Sequence, residues 1–320
     1  MPNRKMSDQL TILTRIQDIR SLVNATWKHC QLRQDKRLFS QLCSSMDAIE
    51  DTASAILAFE AECFPDTKPA LYLVVYGLLQ ALYLQQDAVR HLAEALHSPI
   101  KLSDWPELEE IRRIRNTAVG HPTRTDRSRP VSFHHITQVT LSRRGFDMIS
   151  YQESGEVRFR TVDLPVLISR QGEAISDILS KLIARLTPES VDHKERFRME
   201  KLAQLFPPIT SYYLEKVAES LHPEGEPRIG LFGLDGIEST LNEFREAIGR
   251  RDMDYYQALE HEYDLLRYAI SSLRAFLEAK KGGQEAPTSD LAVEIFAAYV
   301  HQQTEKLRQD ALEIDEDYAE

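Results

Sequence analysis

Cysteine is scarce in this 320-residue chain, and Cys30, Cys43 and Cys63 form an odd set without metal-like spacing. Thiols of that kind, in segments of helical pattern, read as small apolar residues in a reducing compartment, with neither a disulfide framework nor a cysteine-built zinc site. Long apolar runs are missing too. The most apolar stretch, "PALYLVVYGLLQALYL", passes at once into "QQDAVRH", and "MPNRKMSDQLTIL" holds no apolar run fit for a signal peptide. The expectation is a cytoplasmic protein without a membrane segment. Positive charge is the minority sign: 39 Lys and Arg face 50 Asp and Glu, for a net charge of −11. That balance argues against a protein that coats nucleic acid without specificity, and it leaves room for a small local basic site.

Several chemical signatures are also absent. No glycine-rich loop ends in Gly-Lys-Ser or Gly-Lys-Thr, and "GLFGLDG" lacks the dinucleotide spacing and follows no strand of a βαβ unit. "HEYD" at His261 has no second histidine four residues on, and nothing offers a nucleophile elbow. No metal and no cofactor is implied.

What is present is the composition of a folded protein, 42% hydrophobic and 28% charged, with length for two domains. Leu10, Leu13, Ile16, Ile19, Leu22 and Val23 predict a helix over 8–29, and Leu38, Leu42, Met46, Ile49, Ala53 and Ile56 a second over 36–62. "CFPDTKP" turns the chain into a third helix from Pro69, apolar nearly all round until Gln85 and so central to a bundle. A fourth helix, capped by Ser103 or Asp104 and with Pro106 in its first turn, carries Ile111, Ile114 and several arginines up to Gly120-His121-Pro122. Next comes a three-stranded antiparallel meander at 131–142, 145–152 and 156–162, read from β-branched and aromatic residues with turns at Arg144-Gly145 and Ser154-Gly155. Asp163 can cap a long helix, with Pro165 in its first turn, running to Leu186.

"TPESVDHKE" reads as a junction, followed by helices near 193–205, 208–221, 236–249, 252–280 and 289–312 and a frayed acidic tail, "EIDEDYAE". The fold class expected is mostly α. Residues 1–188 form a helical bundle with the β-meander inserted near 131–162, and residues 189–320 form a helical C-terminal domain.

The chemistry concentrates in and around "RIRNTAVGHPTR", residues 113–124, where Arg112, Arg113, Arg115, Arg124, Arg127 and Arg129 surround one histidine. Arg115 and Asn116 place a guanidinium fork and an amide at a helix end, and Pro122 biases His121 toward an extended conformation. Gly120 tolerates the backbone angles needed to leave the helix. A neutral imidazole can take a proton from a ribose 2′-hydroxyl while arginine holds the phosphate. The same residues also serve as a plain C-cap, with cations at the negative end of the helix dipole.

The run Arg115-Asn116-x-x-x-Gly120-His121 resembles the signature of the HEPN domains. These are antiparallel helical bundles marked by Arg, four to six residues, then His, often with a polar residue directly after the Arg. The resemblance covers residues 8 to 187 as architecture and seven residues as motif. The meander departs from a plain bundle, and residues 190 to 320 lie outside the family pattern. It implies a metal-independent endoribonuclease acting as a homodimer, found in toxin–antitoxin or antiviral systems. The implied partners are RNA and a separate antitoxin or regulatory protein. By the same resemblance His121 is the general base, Arg115 the phosphate binder and Asn116 the orienting group, and the products end in 2′,3′-cyclic phosphate and 5′-hydroxyl.

Arg112, Arg124, Tyr76 and Gln80 are further candidates for substrate contact. Tyr72, Tyr76, Gln80 and Tyr83 share a helical spacing that reads first as a core stripe with its hydroxyls at the edge, and that also fits contact with a nucleotide base. A non-catalytic HEPN-like binding or dimerisation module, with a helical protein-interaction scaffold, is the alternative function.

Overall fold

The computed structural model describes residues 8–124, 131–253 and 257–319. The chain is mostly helical, with one three-stranded antiparallel sheet, as expected for the class. It divides into two compact units, one of Met1–Val23 with Asp35–Pro188, the other of Asn24–Gln34 with Glu189–Glu320. Among the described residues no helix is long and apolar enough to cross a membrane.

The single helix read over 8–29 is two. α1 (Asp8–Asn24) buries Ile12, Ile16, Ile19 and Val23, then Ala25 adopts extended angles (φ −52°, ψ 130°) and α2 (Thr26–Arg33) follows. The break frees Trp27 and Cys30 to join the core of the second unit.

In the first unit α3 (Lys36–Glu60) starts at Asp35, whose carboxylate accepts from the Arg37 and Leu38 backbone N–H groups. α4 (Lys68–Ala95) is the central helix, with buried positions spread along it from Leu71 to Ala95. Where its apolar run ends, Gln85 and Gln86 are fully buried, as are Gln9 of α1 and Gln171. The four amides are linked to one another in a chain. Gln85 Nε2 donates to Gln9 Oε1 (3.0 Å), Gln171 Nε2 to Gln85 Oε1 (2.9 Å) and Leu82 O (3.0 Å), and Gln86 Nε2 to Gln171 Oε1 (2.7 Å). A buried polar layer so connected sets the register of its helices, because any slip strands an amide in the interior.

α5 (Pro106–Arg115) is not capped by Ser103 or Asp104. A 3-10 turn takes up residues 102–104, Trp105 holds the cap position, and its indole N–H donates to the Asp177 carboxylate (3.2 Å). β1 (Ser132–Ile136), β2 (Gly145–Gln152) and β3 (Val157–Asp163) pair in chain order, with Ile136 opposite Met148 and Phe146 opposite Val162. The first strand stops well short of 142, because Thr140 N–H turns back to Thr137 O (3.2 Å). Gly145 lies so close to its partner strand that a Cβ there would run into the Val162 carbonyl. Phe146, Met148 and Val162 join residues of α4 and α5 in one core, which ties the sheet to the end of α5.

α6 (Leu164–Phe197) opens on the Asp163 carboxylate, which accepts from Val166 N–H (3.1 Å), as its sequence indicates. It does not end at Leu186. The helix continues through Pro188 and "TPESVDHKE" to Phe197, and the division between the units falls inside it. Proline costs a helix one N–H and some strain, but Leu186 and Phe197 on either side are buried, and their burial outweighs that local loss.

The second unit contains α7 (Pro208–Leu221), α8 (Pro227–Arg250), α9 (Gln257–Lys281) and α10 (Asp290–Asp317). Residues 193–205 are not one helix: α6 ends, and residues 202–205 form a 3-10 turn whose Leu202 and Ala203 N–H groups both donate to the Asp315 carboxylate at 2.9 Å. α8 begins earlier than 236 and absorbs "GLFGLDG". Its glycines let α7 approach closely, since a Cβ at Gly233 would lie 2.9 Å from the Tyr213 carbonyl and one at Gly236 would enter the Tyr213 ring. The tail read as frayed is anchored. Tyr318 is buried, and its hydroxyl lies 3.1 Å from His193 Nδ1. His193 in turn stacks on Trp27 with ring centroids 4.1 Å apart. Beside them Arg251, 1% exposed, donates to the carbonyls of Ala247 (3.0 Å) and Glu200 (2.5 Å) and lies over the Phe197 ring.

Candidate functional site

α5 carries Glu107 and Glu109 in its first turn and Arg112, Arg113 and Arg115 in its last, so its charges complement the helix dipole at both ends. Leu108, Ile111, Ile114 and Ala118 are buried and fix its rotation, which leaves Arg113 exposed and Arg112 and Arg115 half-buried. After Arg115 the helix widens. The His121 N–H donates to the Asn116 carbonyl (2.7 Å), closing a π-helical turn over Asn116–Gly120. The Thr117 hydroxyl donates to the Arg113 (2.8 Å) and Ile114 (3.0 Å) carbonyls and supports the change of pitch.

In a turn closed between residues five apart, those residues lie on one side, so His121 sits a turn beyond Asn116. Asn116 is therefore the link between the two ends of the motif. Its side-chain Oδ1 accepts from Arg115 Nη1 (2.9 Å), and its backbone carbonyl holds His121. The need for glycine at 120 is one of space: a Cβ there would lie 2.9 Å from Arg115 Nη1 and 3.6 Å from Asn116 Oδ1. His121 itself is exposed and leaves the helix at φ −141°, ψ 54°. The loop is then held by the sheet, because the Pro122 carbonyl accepts from the His134 N–H of β1 (2.7 Å).

Across from Arg115 stands α4. Gln80 Oε1 accepts from Arg115 Nε (3.1 Å) and Nη2 (2.7 Å), and the Tyr83 ring lies under the guanidinium at 4.3 Å. Arg112 lies over the same ring at 4.2 Å but donates to Asp87 Oδ1 (2.9 Å). This difference separates Arg115 from Arg112 and from the ion-paired arginines of the first unit. In the first unit Arg20 is paired with Asp47 and Glu50, Arg143 with Glu62 and Asp66, Arg158 with Glu156, and both Arg160 and Arg170 with Glu110. Among the described residues no carboxylate pairs with Arg115, which is held by two neutral amides and a ring face. Its positive charge is kept in place without being neutralised.

The other sequence candidates divide. Gln80 belongs to the site as a partner of Arg115, and Arg112 stands beside it with its charge offset by Asp87. Tyr76 is 38% exposed and packs edge-on against Tyr72, with centroids 6.0 Å apart. Arg124 is exposed beyond Pro122. Arg127 and Arg129 lie outside the described residues. His134 and His135 alternate across β1: His134 is half-buried between the Ser132 (3.0 Å) and Ser150 (2.7 Å) hydroxyls, and burial pushes its pKa down. His135 stacks on Tyr151.

Asp87 was missed from the sequence. It continues the stripe Tyr76, Gln80, Tyr83 at helical spacing, and that spacing is the signal that points to it. Among the described residues no group of three His, Cys, Asp or Glu side chains is placed to hold a metal ion.

Comparison with family models, with curated proteins and with solved structures finds no match to this chain.

Proposed function

We propose that this protein is a metal-independent endoribonuclease of HEPN type, acting as a cytoplasmic homodimer in a bacterial toxin–antitoxin or antiviral system. The observation that carries the reading is the state of Arg115, a fixed cation with no carboxylate partner among the described residues, joined through Asn116 to an exposed histidine. In the reaction His121 removes the proton of a ribose 2′-hydroxyl, and the 2′-oxygen attacks the adjacent phosphorus. Arg115 holds the non-bridging oxygens as negative charge builds on them. The bond to the 5′-oxygen breaks, that oxygen takes a proton from solvent, and the products are a 2′,3′-cyclic phosphate and a 5′-hydroxyl.

The test is cleavage of a mixed tRNA and mRNA pool in excess EDTA by wild type and His121→Ala, with end-group analysis. Cleavage by wild type alone, leaving cyclic phosphate ends, supports the reading. A folded dimer that leaves the RNA intact favours the competing reading, a non-catalytic binding module. The exposed aromatic face of the sheet, with Phe133, Tyr151 and Phe159, speaks for that second reading.

A further inference from the structure

We infer that Gln80 is the positioning residue of Arg115 and that its carboxamide decides which end of the guanidinium is open to a phosphate. The inference rests on the proposed site. A guanidinium presents five N–H donors on a planar fork, and either its side edge, Nε with Nη2, or its terminal nitrogens can grip an anion. Gln80 Oε1 closes the side edge by accepting from Nε (3.1 Å) and Nη2 (2.7 Å) together. Asn116 Oδ1 takes one donor of Nη1 (2.9 Å), and the Tyr83 ring covers one flat face at 4.3 Å. Two donors remain, one on each terminal nitrogen. An anion meets the fork there, on the side where Asn116 and Gly120 lie.

The residue type at 80 matters as much as its place. A glutamate would hold the same two donors but neutralise the charge, turning Arg115 into another ion-paired surface arginine like Arg20 or Arg143. A neutral amide orients the cation and leaves its charge for the substrate. Because arginine only donates, the pairing also fixes the orientation of the glutamine amide, with oxygen toward Arg115. Gln80 reaches Arg115 from α4, across the helix pair, so the direction of the fork is built into the packing of α4 on α5.

The test compares full-length wild type with Gln80→Ala, Gln80→Glu, Arg115→Ala and His121→Ala. Two readouts are used: single-turnover cleavage of an oligoribonucleotide in EDTA, and binding of the same oligomer made uncleavable by a 2′-deoxy residue. Folding is followed by thermal melting, and Gln80→Glu, an isostere that keeps both bonds, guards against loss of the fold in Gln80→Ala. We expect Gln80→Ala to slow cleavage about tenfold or more with binding nearly unchanged, the mark of lost orientation, and Gln80→Glu to weaken binding about tenfold as well. Wild-type behaviour in both Gln80 variants, with cleavage abolished by His121→Ala, overturns the inference and leaves the site standing. If the protein binds without cleaving and Arg115→Ala abolishes that binding, Gln80→Glu still decides: weaker binding supports the role of Gln80 and unchanged binding refutes it. A wild type that neither cleaves nor binds in an Arg115-dependent way removes both the site and the inference.

Discussion

The backbone N–H of His121 donates to the carbonyl of Asn116 at 2.7 Å, and that one bond gives the turn its width. The arrangement leaves no room at Gly120, where a methyl group would press on Arg115 Nη1. Gly120→Ala is therefore expected to act in opposite directions on stability and function. Replacing glycine in a helical turn stabilises by about 0.5–1 kcal/mol, while the displaced guanidinium loses about tenfold or more in oligoribonucleotide cleavage. Thermal melting together with single-turnover kinetics checks both halves, and a variant as active as wild type would show that the guanidinium has other places to go.

Asp87 keeps Arg112 neutral in effect while Arg115 stays charged one turn away. Asp87→Asn removes that offset. Arg112 is half-buried, so the protein should lose about 1 kcal/mol of stability, a value reduced by solvent screening at this exposure. The released charge should tighten single-stranded RNA binding and steepen its salt dependence by about 0.7 in the log–log slope. A salt titration of the two proteins side by side decides the matter.

The glutamine layer makes a prediction about stability alone. Gln171→Leu leaves Gln86 Nε2 and Gln85 Oε1 without their partner inside a packed bundle. Stranding two buried amide groups costs about 3 kcal/mol, and urea denaturation should show it as a lower midpoint with an unchanged slope.

Acid should weaken the second unit through His193. Burial holds its pKa below the ordinary 6.5. Above 6.5 the folded and unfolded chains both keep the imidazole neutral, and stability is full. As the pH falls below 6.5 toward the lowered folded value, the unfolded chain takes up a proton that the folded chain refuses, so stability is lost across that window. His193→Phe keeps an aromatic ring on Trp27 and removes the titration. Its denaturation midpoint should vary less between about pH 7 and pH 5 than that of wild type. His134, also held low by burial, adds a slope of the same sign in the first unit.

Legibility in the sequence followed the reach of each interaction. Asp163 announces α6 because a cap bonds to its own next turn, and the register of the meander follows from alternation and turn residues. Pro188 misleads for the converse reason: it is a local stop signal overruled by burial on both sides. The acidic tail looks solvated until Asp315 finds the N–H groups of Leu202 and Ala203, more than a hundred residues earlier in the chain. In the site, Arg115, Asn116 and His121 stand out by spacing. That Arg115 keeps its charge depends on meeting Gln80 and not Asp87, two positions on one helix stripe that no pattern in α5 could tell apart.

The second unit also carries a consequence for the order of synthesis. Its core packs Trp27 with Phe197, Leu241, Leu273 and Tyr318. A ribosome makes Trp27 long before any of the others, and the ring that His193 stacks upon lacks that cover until residue 193 emerges. The core receives its last aromatic ring only when Tyr318 arrives. A chain stalled before His193 therefore displays α2 without the residues that bury Trp27 and Cys30, the sort of surface that chaperones bind during translation.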